Sequence, residues 1–518
     1  MRVSKRAATV RKREITLDRD ALAPLYRQLY ERLRAGILTG QLETGARLPS
    51  TRALASELGV SRTTTALAYE QLLLEGYIES RVGDGTRVAR LQPEQLLHVV
   101  RNADDRRTMD ITGPDAAVIS QRGQLLVNTP YMEEFYANQA SGGASVFHVG
   151  QPDVAYFPYK TWARLVARHA RQSLRAVAPY QNAQGYAPLR EAIAAHIGIT
   201  RGVHCSPEQI ILTAGAQGAL DLIARVLLDP GNAAWVEDPG YLGARGALLA
   251  AGARPIPVPV DREGIEVEAG RQRCRDARLA IVTPSHQFPT GVTMSLSRRL
   301  ALLQWGREAH AWIVEDDYDS EYRFSGRPLE ALQGLDSAGR VIYIGTFSKV
   351  LFPSLRLGYL VAPPALLKSL IAARRLIDVH LPLLEQMALA DFITEGHFAR
   401  HLRKMRLLYG ERRNALVDAL TRELCDILDV AVPEAGMHLV AWFRSGMSAR
   451  TVADRAVAHG LHILPISQFS LRPLQRDGLM LGFASASSEE LQAGVHTLAR
   501  ALVDLRGDAP QTTIADNA

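Results

Sequence analysis

Strand-sized apolar segments alternate with helix-like stretches through the chain after Phe147. The clearest are residues 210–212, 233–236, 279–282, 311–314 and 341–344. This alternation is typical of an α/β domain built on a mostly parallel sheet. With 518 residues, the chain is also too long for one typical domain and is expected to form two or more.

The excess positive charge lies in the first 90 residues. The whole chain holds 60 Lys and Arg and 54 Asp and Glu, and residues 1–90 contain 16 of the basic and 10 of the acidic ones. The rest of the chain has 44 residues of each sign and no net charge. Such a bias is expected where a protein contacts a phosphate backbone, although a solvated basic tail would give the same count.

The same segment predicts a short series of elements. Leucine and isoleucine at three-to-four spacing predict an amphipathic helix over 22–38. A second helix is expected over 51–58 and a third, capped by a serine, over 61–75. Two short strands, 77–82 and 86–89, flank a glycine-rich turn. The order helix, helix-turn-helix, hairpin is that of a winged helix.

The third predicted helix has a buried face and an exposed N-terminal end. Thr65, Ala68, Tyr69 and Leu72 share one face at helical spacing and are predicted to be buried. Residues 61–64 remain exposed. A recognition helix places its DNA-contacting side chains at this end.

Several motifs at fixed distances resemble the GntR family of DNA-binding domains. They occupy residues 24–26, 45–52, 58–64 and 75–77, and the resemblance covers 17–89. It implies that the following residues contact DNA: Arg47, Ser50, Arg52, Ser61, Arg62, Thr63 and, in the wing beside Gly83, Arg81. Arginine can pair with guanine or phosphate, and hydroxyls mostly hold phosphate, although any one of these arginines would also fit a surface salt bridge. Thr65 departs from the family, which usually has valine there.

The remaining boundaries follow from changes in composition. Residues 90–142 are charged or small and polar and predict an exposed linker. The α/β domain is assigned to 143–506 and a flexible tail to 507–518.

Three widely spaced cysteines, Cys205, Cys274 and Cys425, suit a reducing compartment and offer neither a disulfide framework nor a zinc site. No apolar run approaches the roughly 20 residues of a membrane span, so a cytoplasmic protein is expected.

A lysine marks the candidate chemistry of the larger domain. Lys349 follows the strand-like stretch 340–344 on a turn with Thr346 and Ser348, and Arg356 lies seven residues further on. A lysine in this setting can form a Schiff base with an aldehyde cofactor, while hydroxyls and a guanidinium hold the cofactor's phosphate. The turn predicts a site for pyridoxal 5'-phosphate.

Other strand ends carry groups that suit the same cofactor. The small turn 213–217 precedes a helix predicted over 218–227, where backbone N–H groups favour a phosphate. Asp316 and Tyr318 point the same way after another strand, so that the aspartate can face a pyridine nitrogen and the tyrosine a phenolic oxygen. The acidic run around them would also suit a solvated loop or a metal, but no histidine is near in sequence and no metal is expected.

Together these segments resemble the fold-type I aminotransferases. The resemblance implies that Lys349 is the Schiff-base lysine, that Tyr241 stacks on the ring, and that Tyr180 reaches the cofactor of the other subunit. The implied cofactor-binding residues are Gly215, Ala216, Gln217, Tyr241, His286, Asp316, Tyr318, Thr346, Ser348, Lys349 and Arg356. The two halves in this order, with the motifs at 286–291 and 315–321, resemble the MocR subfamily of GntR regulators. Such proteins are implied to be head-to-tail homodimers.

One residue departs from the aminotransferase pattern. Aminotransferases and many MocR relatives carry an arginine for the substrate carboxylate in a run similar to residues 478–483, where this chain has Met480. Methionine cannot bind a carboxylate. Either Arg245 or Arg472 takes that role, or the effector lacks an α-carboxylate, as an amine, a sulfonate or the cofactor itself would. Met480 would otherwise be an ordinary core residue.

Three functions fit these features. The leading hypothesis is a transcriptional regulator that senses an amine, an amino acid or a vitamin B6 compound through the Lys349 aldimine and binds an operator in double-stranded DNA. The alternative is an active pyridoxal-phosphate-dependent aminotransferase with an appended DNA-binding domain. A third hypothesis is a repressor that responds to cofactor supply alone.

Overall fold

The computed structural model describes residues 16–19, 21, 23–81, 85–89, 119–127, 146–171, 179–326, 329–444 and 446–507. The chain divides into two compact units, residues 1–117 and 118–518. Most of the predicted linker 90–142, the wing residue Gly83, the side chain of Arg81 and residues 508–518 of the predicted tail lie outside the described part.

The first unit is a winged helix, as predicted. Its elements are α1 Leu25–Leu38, α2 Thr51–Leu58, α3 Arg62–Leu74, β1 Ile78–Arg81 and β2 Gly85–Val88. The two strands pair antiparallel, with Ile78 opposite Val88. Helix α1 begins three residues later than predicted because Pro24 disfavours helical backbone in the residue before it.

Serine caps fix the start of both helices in the helix-turn-helix. The Ser50 hydroxyl accepts a hydrogen bond from the Ala53 amide, and the Ser61 hydroxyl accepts one from the Thr64 amide. Gly59 ends α2 in the left-handed conformation, at φ +66°. All four residues predicted to form the buried face of α3 are buried, which confirms the helical period and orients α3 with residues 61–63 exposed.

The hydroxyl of Thr65 ties α3 to α2, and this explains the departure from valine. Its Oγ1 lies 2.8 Å from the Thr51 carbonyl oxygen of α2 and 3.0 Å from the Arg62 carbonyl oxygen, and the single hydroxyl proton is shared between these two acceptors. We expect Thr65→Val to lower the free energy of unfolding of this unit by about 1 kcal/mol, because a buried hydrogen bond is lost. Hydrogen exchange of the α3 amides would measure the loss, with exposed Thr63→Val as control. Equal protection in Thr65→Val and the native protein would contradict it.

The second unit is built on an eight-stranded sheet. Its strands are β3 Ile210–Thr213, β4 Ala233–Asp238, β5 Arg254–Asp261, β6 Gly264–Ile265, β7 Leu279–Val282, β8 Trp312–Asp317, β9 Val341–Thr346 and β10 Gly358–Val361. They lie in the order β3-β10-β9-β8-β7-β4-β5-β6. The central strands from β5 through β4, β7 and β8 to β9 are parallel, and β10 is antiparallel to both its neighbours. The predicted mostly parallel sheet is confirmed.

Helices precede and connect these strands. They are α4 Gln121–Val127, α5 Tyr159–Ala170, α6 Ala187–Arg201, α7 Gly215–Leu227, α8 Leu242–Ala250, α9 Val267–Arg273, α10 Leu296–Glu308 and α11 Leu367–Asp378. Helix α7 begins at Gly215 rather than at the predicted Gly218, because Gly215 adopts φ +79° and turns the chain directly from β3 into the helix. Central strands such as β4 and β9 are buried along their whole length, as expected for parallel strands covered on both faces.

A smaller antiparallel sheet follows in the last third of the chain. Its strands are β11 Leu428–Val430, β12 His438–Phe443, β13 Leu464–Pro465 and β14 Gly478–Gly482, in the order β11-β12-β14-β13. The helices here are α12 Leu383–Thr394, α13 His397–Leu424, α14 Ala449–Ala458 and α15 Ser488–Gly507. A shared apolar core joins them to the large sheet through residues such as Leu212, Tyr359 and Leu481. Among the described helices, none is long and apolar enough to cross a membrane.

Candidate cofactor and DNA-binding sites

A cavity of about 510 Å³ lies where the strands of the large sheet end. Residues that follow β3, β4, β7, β8 and β9 line it, because the carboxyl ends of these strands share one edge of the sheet. Nine of the predicted cofactor residues face it: Ala216, Gln217, Tyr241, Asp316, Tyr318, Thr346, Ser348, Lys349 and Arg356. The fold thus gathers motifs that are far apart in the sequence.

The other two predicted cofactor residues lie just behind the lining. Gly215 packs against Arg356, since a Cβ on this glycine would lie 3.4 Å from the guanidinium Nη2. His286 is buried behind Tyr318, whose hydroxyl is 2.9 Å from His286 Nδ1. The same nitrogen is 3.1 Å from Asp319 Oδ2. His286 therefore contacts a cavity-lining side chain rather than the cavity itself.

Lys349 has the environment of a nucleophilic amine. Its Nζ donates a hydrogen bond to the Gly150 carbonyl oxygen at 2.8 Å. Burial lowers the pKa of Lys349, and the carboxylates of Asp319 and Asp316 oppose that shift. A lowered pKa increases the fraction of neutral amine, the form that attacks an aldehyde.

Asp316 lies at the end of β8 within a cluster of buried acids. Burial, followed by the nearby charges of Asp317 and Glu237, raises the pKa of Asp316 to about 7. Burial likewise raises the pKa of Glu237 to about 7. A protonated pyridine nitrogen next to Asp316 would supply a positive charge that stabilises the Asp316 carboxylate.

The polar atoms of the lining fit pyridoxal 5'-phosphate. Four buried lining atoms have no hydrogen-bond partner within the described structure: Gln151 Oε1, Gln217 Oε1, Asp316 Oδ1 and Ser348 Oγ. Buried polar groups normally have partners, so these atoms indicate a bound polar molecule. Bound pyridoxal phosphate supplies an aldehyde that condenses reversibly with amines. Arg356, which donates to the Ala214 carbonyl oxygen at 2.8 Å, is placed at the start of α7 to hold a phosphate.

The raised pKa of Asp316 predicts a pH-dependent stability. A carboxyl whose pKa is 3.8 unfolded and about 7 folded stabilises the fold most at low pH, and this contribution is lost as pH rises from about 4 to 7. Without cofactor, Asp316→Asn should remove this part of the slope, up to about 1.4 kcal/mol per pH unit. Urea unfolding at pH 5 and 7.5 would measure it.

Tryptophan fluorescence suits this measurement because all five tryptophans lie in the second unit. The control is Asp418→Asn, which changes an exposed aspartate on α13. Equal slopes in Asp316→Asn and the native protein would show that the Asp316 carboxyl does not carry the buried proton.

The residues predicted to contact an effector are not in the cavity lining. Tyr180 is 86 % exposed, and its ring centroid is 6.2 Å from that of His380. Arg245 on α8 is partly buried, and Arg472 is exposed in the loop before β14. Met480 is fully buried in an apolar cluster. Its position is that of a core residue, the third possibility that the sequence left open.

Eight lining residues were not among the predicted cofactor residues, namely Val149, Gly150, Gln151, Thr283, Phe288, Pro353, Ser354 and His438. Gln151 follows Gly150 in the segment before α5, and His438 lies in β12. The glycine and proline beside Gln151 offered a weak signal, but a single histidine in an apolar strand offered none. The fold also brings His438 together with His286 and Asp319, whose candidate metal-ligating atoms lie within 4.8 Å of one another. Sequence distance hid this cluster, in which His286 Nε2 has no hydrogen-bond partner within the described structure.

In the winged helix, the predicted DNA contacts form an exposed surface. The side chains of Arg47, Ser50, Arg52, Ser61, Arg62 and Thr63 are all exposed. The guanidinium of Arg47 packs next to Gly85 in the wing, 3.1 Å from where a Cβ would lie. Ser50 and Ser61 also serve as helix caps, so their hydroxyls have a structural role as well.

Comparisons with protein families match both units. Residues 25–88 match the family model of bacterial regulatory proteins of the gntR family, and residues 146–498 match aminotransferase class I and II. The fold and the cavity therefore define a GntR-type transcriptional regulator with an aminotransferase-like domain.

Relatives of known sequence share the whole arrangement. The probable rhizopine catabolism regulatory protein MocR of Rhizobium meliloti is 44 % identical over 95 % of this chain and 96 % of its own length. The pyridoxine biosynthesis transcriptional regulator PdxR of Corynebacterium glutamicum is 31 % identical over 90 % of this chain and 93 % of its own. The chain belongs to the MocR subfamily of GntR-type transcriptional regulators.

Solved structures resemble the second unit. Kynurenine aminotransferase from Pyrococcus horikoshii, solved with PMP, has a TM-score of 0.69 at 27 % identity over 76 % of this chain and 98 % of its own. LysN, the α-aminoadipate aminotransferase of Thermus thermophilus, solved with N-(5'-phosphopyridoxyl)-L-leucine, has a TM-score of 0.66 at 33 % identity over 72 % of this chain and 95 % of its own. The fold and these neighbours identify pyridoxal 5'-phosphate as the cofactor.

Proposed function

We propose that this regulator binds an operator through its winged helix and changes its DNA affinity when a small-molecule amine or amino acid reaches Lys349. The observation that carries the proposal is the position of Lys349 Nζ in a cavity where four buried polar atoms lack a hydrogen-bond partner within the described structure. With pyridoxal phosphate bound, its aldehyde would be held by Lys349, and a competing amine that condensed with the aldehyde would release the lysine amine, which could then donate to the Gly150 carbonyl oxygen as in this structure. Two conformations of the unit that accommodate this movement of Lys349 differently would couple effector binding to DNA affinity.

The proposed roles of the cavity residues follow from their chemistry. Asp316 pairs with the pyridine nitrogen, Tyr318 with the phenolic oxygen, and Tyr241 covers the ring. The phosphate is held by Gly215, Ala216, Gln217, Thr346, Ser348 and Arg356. His286 acts through Tyr318 by holding its hydroxyl.

The effector must bind one conformation better than the other in order to change DNA binding. A coupling free energy of about 1 to 3 kcal/mol is typical, which corresponds to roughly a 5- to 150-fold change in operator affinity. The proposed contacts with DNA are those of α2, α3 and the wing, including Arg52, Arg62 and Arg81.

The proposal includes the assembly and its location. We infer a homodimer in which the highly exposed ring of Tyr180 reaches the partner's cavity. A large aromatic side chain that is 86 % exposed supports a contact beyond one chain. A DNA-binding regulator with three free cysteines is expected in the cytoplasm.

A working aminotransferase is the second candidate function. The likeness to LysN and the presence of a lysine, an aspartate and a phosphate-binding turn in one cavity favour it. A third candidate, regulation by vitamin B6 itself, has a counterpart in the printed name of the pyridoxine biosynthesis regulator.

One experiment separates the three functions. The absorbance of the purified, cofactor-loaded protein is followed through titrations with amines, amino acids and pyridoxal phosphate, while binding to a duplex selected in vitro is measured in parallel. A spectral change that alters DNA affinity without release of a keto acid supports the sensor. Steady keto acid production with unchanged DNA affinity would refute it in favour of an enzyme, and a response to pyridoxal phosphate alone would favour the vitamin hypothesis.

A further inference from the structure

The cationic side chains that line the cavity are both assigned to contacts with the cofactor. Among the described residues that line it, Lys349 and Arg356 are the only lysine and arginine. Arg356 is fixed at the start of α7 by its bond to the Ala214 carbonyl oxygen and its packing on Gly215. Neither cation remains for an anionic group on an effector.

The position that could have supplied another cation is apolar. Met480 has no exposed surface and packs in a cluster with Val149 and Phe288, both of which line the cavity. The two candidate replacements, Arg245 and Arg472, do not line it. Burying a carboxylate without a cation costs several kcal/mol.

Among the described lining residues other than Lys349, Arg356 and Asp316, the polar side chains are neutral. His438 Nε2 is 3.0 Å from the Pro289 carbonyl oxygen, which can only accept, so the proton is on Nε2. Burial lowers the pKa of His438 to about 3 and keeps the ring neutral, which leaves Nδ1 as an acceptor. Gln151 adds a buried carbonyl oxygen without a partner in the described structure. A wall of neutral polar groups can pair with hydroxyls, which both donate and accept, but it offers a carboxylate no cation.

We propose that the effector of this regulator is a primary amine whose other polar groups are neutral hydrogen-bond donors, above all hydroxyls, and which carries no carboxylate, sulfonate or phosphate. This inference rests on the proposed function, since it specifies the ligand that approaches Lys349. It excludes ordinary α-amino acids as the preferred class.

The test compares two ligands that differ in one group. Serinol (2-amino-1,3-propanediol) and serine share an amine and a hydroxymethyl group, but serinol has a second hydroxymethyl where serine has a carboxylate. The cofactor-loaded full-length protein is titrated with serinol, L-serine and D-serine, and the absorbance change and the shift in Tm are recorded. Free pyridoxal phosphate titrated with the same amines gives the intrinsic preference of the aldehyde, by which the protein values are divided.

We expect serinol to bind at least about tenfold more tightly than either serine enantiomer after this correction. Serine binding as tightly as serinol would overturn the inference and leave the amine sensor intact. If neither amine perturbs the absorbance or Tm of a protein that binds pyridoxal phosphate, the proposed function fails and the inference with it.

A pair of variants tests the role of the missing cation. Met480→Arg should move the preference toward serine by about tenfold, because it supplies a positive charge beside Val149 and Phe288. Met480→Leu keeps the site apolar and should retain the native ratio. A native ratio in a folded, cofactor-binding Met480→Arg protein would count against the inference, and the ratio in the native protein decides it should this variant fail to fold.

Discussion

Replacing Lys349 with alanine should abolish the absorbance band of protein-bound pyridoxal phosphate and every effector response, while DNA binding persists. The lysine supplies the amine that bonds to the cofactor's aldehyde, and none of the other residues described in the cavity lining is a lysine. The winged helix has its own core, formed by residues such as Leu29, Leu54 and Leu72. Its affinity for DNA in the absence of effector should therefore change by no more than about twofold.

Absorbance, effector titration and operator binding would be measured on the same preparations. Lys368→Ala is the matched control, because Lys368 is an exposed lysine on α11 outside the cavity. The control should keep the band and the response. An effector response that survives in Lys349→Ala would show that sensing does not pass through the lysine and would sink the proposed mechanism.

Local patterns were sufficient to predict the winged helix. Ser50, Gly59 and Ser61 are the turn and cap residues that the backbone requires at those points, and the period of α3 identifies its buried face. These signals act within a few residues, so the sequence carries them directly. The hydrogen bond from Thr65 to Thr51 joins two helices and was not predicted. Threonine has nearly the size of the family's valine, so the sequence gave no sign that its hydroxyl would form a bond to another helix.

The large sheet was predictable in kind but not in order. Each apolar segment indicates a strand by itself, whereas strand order depends on pairing between distant segments. The antiparallel β10 between β3 and β9 is one such result, since its four residues are as apolar as those of the two strands beside it. At Gly358 a Cβ would lie 2.9 Å from the Gly215 backbone, so this long-range contact requires a residue without a side chain.

The cavity shows the same division between local and distant information. Asp316 lies at the end of a strand, Tyr318 and Lys349 follow strands, and all three could be assigned because parallel strands end at one edge of the sheet. His438 reaches the cavity from the smaller sheet, and its contact with the Pro289 carbonyl spans 149 positions in the sequence. Such a contact depends on how the two sheets pack, and neither the segment around His438 nor the segment around Pro289 reveals that packing by itself.

Removing Arg52 and Arg62 should strongly weaken operator binding. Arg52 lies in the first turn of α2 and Arg62 is the first residue of α3, and both side chains are exposed. If each contacts a base or a phosphate, each change to alanine should cost about 1 to 3 kcal/mol, or roughly a 5- to 150-fold loss of affinity. The cavity should be unaffected, so the cofactor's absorbance serves as a check on the rest of the protein.

The salt dependence separates the two kinds of contact. An arginine that binds phosphate should reduce the slope of log K against log salt by about 1 when it is removed and weaken all sequences alike, whereas loss of a base contact should relax the sequence preference. Arg32→Ala is the control, since Arg32 is an exposed arginine of α1 in the same unit, outside the helix-turn-helix. If Arg32→Ala weakens binding as much as Arg52→Ala or Arg62→Ala, net charge rather than the helix-turn-helix geometry governs DNA binding.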